Sequence, residues 1–103
     1  MVKGEIAEKI NRFIKSIIPE YNPKKIILYG SYAKGTNDEN SDIDIAVIVD
    51  EVEGSFLEQE ARLYKIRRNI DINIEPILIE QKHDKSGFLE HISSYGQVLF
   101  ARE

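Results

Sequence analysis

Two aspartates separated by one residue are the side chains in this sequence best suited to chemistry. Asp42 and Asp44 stand at the start of the apolar run from Ile43 to Val49, and such a run, rich in Ile and Val, is typical of a buried strand. Alternate residues of a strand point to the same face, so both carboxylates should project together. Because like charges repel unless a cation lies between them, and Mg²⁺ prefers oxygen ligands, the pair predicts a divalent-metal site.

A Gly-Ser turn precedes this pair and is the second candidate for chemistry. Gly30 and Ser31 follow the apolar run from Ile26 to Tyr29. Glycine allows a sharp turn and the close approach of a ligand, while the serine hydroxyl and the following amides can bind phosphate oxygens. Taken alone, the dipeptide is more typical of a simple turn, and the aspartate pair can be the solvated edge of an amphipathic strand.

A third carboxylate can come from a later strand, predicted over residues 70–79. Isoleucines alternate there with polar residues, so Asp71 and Glu75 share the polar face of that strand. Either acid could complete a site with the aspartate pair, although a strand with one solvated face explains the pattern equally well. Pro76 cannot donate a hydrogen bond to a neighbouring strand, so it indicates an edge strand or a bulge.

The elements that must position these side chains follow from periodicity. We predict a helix over residues 3–18 ended by Pro19, strands over 26–29 and 43–49, a helix from the Ser55 cap to Arg68, the strand over 70–79, a helix over 88–95 ended by Gly96 and a strand over 98–101. The loop between the two motif strands holds at most one helical turn. Their relative direction, parallel or antiparallel, therefore stays open.

Both longer helices show sequence signals of their own. The first carries an apolar stripe, made of Ile6, Ile10, Phe13, Ile14, Ile17 and Ile18. In the second, Ser55 and Glu58 have the spacing of a capping box. Leu57, Ala61 and Tyr64 then follow at helical spacing.

Composition and charge limit the class of protein. The 103 residues, 42% hydrophobic and 31% charged, suit one domain over residues 1–103. A formal charge of −4 argues against nucleic acid as a partner. The absence of cysteine excludes disulfides and thiolate sites, and His83 and His91 are too far apart in sequence to suggest zinc. No apolar run reaches the ~20 residues that cross a bilayer, so no membrane is involved and a cytoplasmic protein is expected.

The order and spacing of these motifs resemble a known family. Gly30-Ser31 after an apolar strand, Gly35 in a short loop and then Ser41-Asp42-Ile43-Asp44-Ile45 closely resemble the minimal nucleotidyltransferases of the DNA polymerase β superfamily. The motif covers residues 26–49, and the predicted element order agrees over most of the remaining chain. The resemblance implies an α+β fold, with a small mixed sheet, helices packed on one side and an active site beside the motif.

The resemblance also implies a reaction. Asp42 and Asp44 would hold one or two Mg²⁺ ions, Gly30 and Ser31 would bind the β- and γ-phosphates, and a third carboxylate would serve a second metal ion. An acceptor hydroxyl would attack the α-phosphorus of a nucleoside triphosphate, most plausibly ATP, and pyrophosphate would leave. Paired metal ions ~4 Å apart can stabilise both the attacking and the leaving oxygen of such a displacement.

Two departures from the family pattern concern single residues. Where relatives often carry arginines after the Gly-Ser turn, this chain has Tyr32 and Lys34. Lys34 keeps a positive charge for phosphate, without the bidentate fork of arginine, and Ser41 is grouped with it as a nucleotide-binding residue. Glu75 is favoured as the third carboxylate and catalytic base, because its surroundings resemble the third motif strand of small relatives. Asp71 is the alternative.

The acceptor is expected to lie on another molecule, since the chain is too short for the additional domain with which larger relatives bind it. Small proteins of this type resemble the antitoxin that pairs with a helical HEPN-type toxin, which implies either such a partner or a homo-oligomer. The antitoxin would neutralise the toxin by binding or adenylylating it. A binding module without catalytic activity is the second hypothesis, and phosphohydrolysis at the same metal ions is a third.

Overall fold

A computed structural model describes residues 4–84 and 86–103. Its elements are α1 (Gly4–Tyr21), β1 (Lys25–Tyr29), α2 (Ser31–Lys34), β2 (Ile43–Val49), α3 (Phe56–Arg68), β3 (Ile74–Glu80), a 3₁₀ turn (Gln81–His83), α4 (Phe88–Tyr95) and β4 (Gln97–Ala101). The predicted start of the first helix at residue 3 lies outside the described residues. No helix among those described is long and apolar enough to span a membrane.

The four strands form one mixed sheet in the order β3-β2-β1-β4. β1 runs antiparallel to both β2 and β4, whereas β2 and β3 are parallel. The direction of the two motif strands, left open by the sequence, is therefore antiparallel, which the short loop containing α2 permits. The parallel pair has α3 as its crossover helix, as such a connection requires. The predicted mixed sheet is confirmed.

The sheet is apolar on both faces because strands β1 and β2 are apolar at nearly every position. On one face, Phe13 and Ile17 of α1 and Leu63 of α3 are fully buried. On the other face, Ile92 of α4 packs with Ile27 of β1 and their neighbours. The expected packing of helices on one side thus holds for α1 and α3 alone, since the second apolar face also needs a cover and α4 provides it.

Several local predictions are confirmed. Ser55 caps α3, with its hydroxyl oxygen accepting a bond from the Glu58 amide at 3.3 Å. The helix α4 ends at Gly96 as expected. Pro76 lies in β3, which is an edge strand of the sheet. An edge strand tolerates proline because one side of its backbone has no neighbouring strand.

The first helix and the third strand have different bounds from those predicted. α1 continues through Pro19 to Tyr21, since proline removes only one backbone donor here and the next turn still closes through the Asn22 amide, 3.0 Å from the Ile18 oxygen. β3 begins at Ile74. The four residues before it form a turn in which the Asp71 carboxylate accepts the Asn73 amide at 2.8 Å, as aspartates often do in turns.

Two large apolar side chains are exposed. Ile72, within that turn, is 69% exposed, and Leu57, in the first turn of α3, is 76% exposed. The buried residue of α3 is Leu63, which does not belong to the helical spacing of Leu57, Ala61 and Tyr64. Helical spacing shows that three apolar residues share one side of the helix, whereas the packing of the whole helix decides which side is buried.

Candidate active site

Three side chains from neighbouring strands form a row at the end of the sheet where β2 and β3 begin. Asp44 is in register with Tyr29 of antiparallel β1 and with Glu75 of parallel β3. Residues in register on neighbouring strands point to the same face, which here is the face that α4 covers. The register thus brings the favoured third carboxylate beside the second aspartate of the motif, as the sequence predicted for Glu75.

The electrostatics of this row are those of a crowded acidic site. Partial burial raises the pKa of Asp44, and the negative charges of Asp42 and Glu75 raise it further. Burial and the charge of Asp44 also raise the pKa of the Tyr29 hydroxyl. Charged carboxylates this close favour a bound cation, and their oxygens are the ligands that Mg²⁺ prefers. The donor set therefore fits a hard divalent ion.

The carboxylates of Asp42, Asp44 and Glu75 do not form a complete metal-binding group in this structure. Within residues 4–84 and 86–103, no group of three or more His, Asp or Glu side chains has an arrangement that could hold a metal ion. Asp42 is exposed beyond the start of β2, while Asp44 and Glu75 are partly buried. Their convergence to metal-bridging distance consequently stays a prediction.

Gly30 forms the turn directly against Asp44. Its backbone has φ 72° and ψ −154°, a combination that is essentially confined to glycine. A Cβ built on this residue would overlap Oδ2 of Asp44 and lie 3.0 Å from its Cγ. The glycine is thus required twice, for the backbone conformation and for the space that the carboxylate occupies.

Tyr95 contacts the same turn from α4. Its hydroxyl oxygen accepts the Gly30 amide at 3.0 Å, and the Nζ atom of Lys34 lies 4.8 Å from the centre of its ring. The sequence predicted Tyr95 only as part of a helix, because nothing in the local pattern links it to a residue 65 positions earlier. Sequence reasoning missed this residue.

The remaining predicted nucleotide-binding residues have different surroundings. Ser31 and Lys34 are the first and last residues of the single turn α2, directly after Gly30. Ser41 is used within its own loop, where its hydroxyl oxygen accepts the Asp38 amide at 2.8 Å. Asp38 in turn accepts the Asn40 amide at 2.8 Å. Ser41 therefore orders the loop before Asp42, and its contact with a nucleotide stays a prediction.

Asp71, the alternative third acid, is held elsewhere. Its carboxylate accepts a bond from the Lys9 ammonium of α1 at 2.9 Å and from the Asn73 amide. The hydrogen bond from Lys9, followed by that from Asn73, lowers the pKa of Asp71. Since β3 begins after this turn, Asp71 has no register partner on β2, and the geometry favours Glu75.

Arg67 holds Glu75 from the side of α3. Its Nη1 atom lies 3.7 Å from Oε1 of Glu75 and donates to the backbone oxygens of Ile72 and, at 3.2 Å, of Ile74. The guanidinium lies 5.0 Å from the centre of the Tyr64 ring. The sequence pattern gave no sign of these contacts, because the partners of Arg67 lie outside α3.

Comparisons with known proteins identify the family of this chain. The model of the family described as polymerase beta, nucleotidyltransferase, matches residues 11–103. A protein of Methanocaldococcus jannaschii named "Putative protein adenylyltransferase MJ0141" is 37% identical over 98 residues, which are 89% of this chain and 96% of that protein.

Solved structures also share the fold. A chain in a crystal structure of a mutant of the toxin-antitoxin MntA-HpeT is 22% identical, with a TM-score of 0.63 over 100% of this chain and 76% of that one. A chain in a crystal structure of a toxin-antitoxin with AMP-PNP is 24% identical, with a TM-score of 0.60 over 98% and 76% of the two chains. The family match over residues 11–103 and the relative that is 37% identical show that the chain belongs to the polymerase beta nucleotidyltransferase family, and the enzyme class predicted from its motifs is confirmed.

Proposed function

We propose that this protein is a Mg²⁺-dependent nucleotidyltransferase that moves AMP from ATP to a hydroxyl group on a protein partner. The observation that carries this proposal is the position of Asp44, whose carboxylate lies against the Gly30 turn and in register with Glu75. One side chain thereby connects a turn suited to phosphate with two further carboxylates suited to metal ions.

Asp42, Asp44 and Glu75 would hold the metal ions. The raised pKa of Asp44, caused by burial and by its two acidic neighbours, supports this assignment because a bound cation would relieve the repulsion. One or two bound Mg²⁺ ions would supply charge stabilisation of the attacking and leaving oxygens in an in-line displacement. The protein would contribute the spacing of the carboxylates and the rigidity of the strands that carry them.

The triphosphate would bind along the segment that follows β1. Gly30 allows close approach, Ser31 offers a hydroxyl and an amide, and Lys34 offers a positive charge. Ser41 would support the site through the loop that leads to Asp42. Gly30 lies against Asp44, so a triphosphate held by this segment would bring its α-phosphorus close to the carboxylates.

Glu75 would also accept the proton of the acceptor hydroxyl. In the reaction, a bond forms between the acceptor oxygen and the α-phosphorus, while the bond from that phosphorus to pyrophosphate breaks. The proton released by the hydroxyl passes to a carboxylate, and Glu75 suits this role because it is partly exposed near the start of β3. Arg67 beside it would limit the positions that the carboxylate can adopt.

A HEPN-type toxin is the partner that we propose as the acceptor, which gives this protein the role of an antitoxin. Support comes from relatives named as protein adenylyltransferases and from the toxin-antitoxin structures that share the fold. The protein would act in the cytoplasm as one domain over residues 1–103. A second copy of the chain is the other source of an acceptor hydroxyl.

The experiment combines the protein, Mg²⁺, α-labelled ATP and a HEPN-type partner. We expect label on the partner, lost when EDTA is added and when Asp42 is replaced in Asp42→Asn. Tight binding of the partner without label would contradict transfer and favour the binding module, whereas release of AMP or ADP without labelled protein would favour hydrolysis. Glu39→Gln is the matched control, because this acid lies exposed in the same loop.

A further inference from the structure

Tyr95 joins both ends of the segment that follows β1. Its hydroxyl accepts the Gly30 amide at 3.0 Å, and its ring face lies 4.8 Å from the Lys34 ammonium. A hydrogen bond at one end of the segment and a cation–π contact at the other both depend on the same side chain. Tyr95 thus determines the position of the turn and of its lysine together.

The C-terminal end of α4 fixes Tyr95 on the sheet. Ile92, one helical turn before it, is fully buried. Gly96 directly follows Tyr95. A Cβ added to Gly96 would lie 2.6 Å from Cγ2 of Ile27 and 2.9 Å from the backbone oxygen of Leu28. This close packing of the helix end on β1 fixes the backbone of Tyr95 beside the Gly30 turn.

We propose that Tyr95 is a positioning residue for the nucleotide triphosphate, holding the Gly30 turn and the Lys34 ammonium in the arrangement that binds phosphate. This inference rests on the proposed function, which assigns the phosphates to residues 30–34. Since the Gly30 amide donates to Tyr95, the phosphate contacts of the turn come from Ser31 and Lys34. A phenol that accepts one bond still carries a proton, so the Tyr95 hydroxyl can also donate to a phosphate oxygen.

The first test needs no nucleotide. Amide hydrogen exchange at Gly30, followed by NMR, is compared in the wild-type protein, in Tyr95→Phe and in Tyr21→Phe. Tyr21 is the control because its hydroxyl also bonds to the backbone of another element, in this case by donating to the Gln59 oxygen of α3 at 2.6 Å. We expect faster exchange at Gly30 in Tyr95→Phe alone, and unchanged exchange there would overturn the proposed coupling.

The second test measures binding of ATP with Mg²⁺ and steady-state transfer by the same proteins. Loss of one hydrogen bond should weaken ATP binding roughly two- to tenfold in Tyr95→Phe, with a raised KM and little change in kcat. Tyr95→Leu should lose more ATP affinity than Tyr95→Phe. Lys34→Met should reduce ATP affinity less in the Tyr95→Leu background than in the wild-type protein, because both substitutions remove the contact between Lys34 and the Tyr95 ring.

The outcomes separate the inference from the proposed function. If the wild-type protein binds ATP and the folded Tyr95→Phe and Tyr95→Leu variants bind it equally well, the positioning role is wrong while the proposed function stands. If the wild-type protein binds no ATP, the proposed function is wrong, and the phosphate role of Tyr95 is overturned with it.

Discussion

Gly30 and Asp44 contact each other so closely that no side chain fits between them. A Cβ on residue 30 would overlap Oδ2 of Asp44, and the backbone of residue 30 has a positive φ of 72°. The strand β2 holds the carboxylate from one side and the turn closes on it from the other. This contact couples the proposed phosphate-binding turn to the proposed metal ligands, and each prediction below concerns that coupling or its support.

Replacing Gly30 by alanine should reduce activity more than stability. In Gly30→Ala the backbone conformation of residue 30 alone costs about 1–3 kcal/mol, and the new methyl group displaces the Asp44 carboxylate. Gly54→Ala is the matched control, since its φ is 79° and nothing lies within 4 Å of an added Cβ. Urea unfolding and transfer rates per folded molecule would check this. Equal rates in the two variants would show that the carboxylate tolerates displacement.

Replacing Asp44 by asparagine should stabilise the protein while abolishing transfer. The folded-state pKa of Asp44 is raised above its ordinary 3.8, so the stability contributed by this group is fully present below that value and is lost as the pH rises through the folded pKa. At neutral pH the ionised group opposes folding, and Asp44→Asn removes that cost. We would measure Tm from pH 3 to 8. Above the folded-state pKa of Asp44, the Tm of Asp44→Asn should exceed that of the wild-type protein, and below this pKa the two Tm values should converge.

Mg²⁺ should reverse that order of stability. An ion that binds only the folded protein, at a free concentration of 100 times its Kd, adds about 2.7 kcal/mol to the free energy of unfolding. Wild-type Tm should therefore rise with Mg²⁺ at pH 7, while that of Asp44→Asn and of Asp42→Asn stays nearly constant. Equal responses of all three proteins would show that the ion binds elsewhere.

Glu75 and Asp71 should respond to amide substitution in opposite ways. Glu75→Gln should lower kcat by roughly 10²–10⁴-fold, as loss of a general base does, with little loss of stability.

Asp71→Asn should keep the transfer rate per folded molecule but lower the urea midpoint, because Lys9 then loses a charged acceptor. The pKa of Asp71 is lowered in the folded protein. The stabilisation that Asp71 gives to the wild-type protein is therefore present above its ordinary pKa and is lost as the pH falls through its folded-state pKa. The reverse pattern would make Asp71 the third acid.

Arg67 should act through Glu75. Displacing a catalytic group by about 1 Å can cost a hundredfold in rate, so we expect Arg67→Met to lower kcat by roughly tenfold or more while KM for ATP stays near the wild-type value. Arg67→Lys should recover part of this loss, since an ammonium keeps the charge without the fork that also contacts backbone oxygens. Arg68→Met is the matched control on the same turn of α3. A wild-type kcat in folded Arg67→Met would exclude this role.

Local signals in the sequence predicted the strand β2, the start of α3 and the end of α4. The run from Ile43 to Val49 is bounded as expected, because seven apolar or alternating residues after a polar loop leave few other structures open. The Ser55 cap of α3 is equally local, since its donor lies three residues away. The proximity of the Gly-Ser turn to the aspartates was implied by the family resemblance, because spacing alone left open the direction of the two strands, which are antiparallel.

Contacts between distant residues were not predictable in this way. Asp71 is held by Lys9 across 62 residues, and Gly30 is bound by Tyr95 across 65. Alternation around Ile72 suggested a strand, but an aspartate side chain closes a turn there instead. A single sequence shows which residues can form such bonds and not which partner the folded chain supplies.

The most direct test of the central claim compares α-labelled with γ-labelled ATP in the presence of Mg²⁺ and the acceptor protein. Nucleotidyl transfer at Asp44 predicts that the α label becomes covalently attached to a hydroxyl of the acceptor, that the γ label is released as pyrophosphate, and that Asp44→Asn attaches neither. Attachment of the γ label would indicate phosphoryl transfer, and attachment of the α label by folded Asp44→Asn would place the reaction outside this site. Either result would contradict the account.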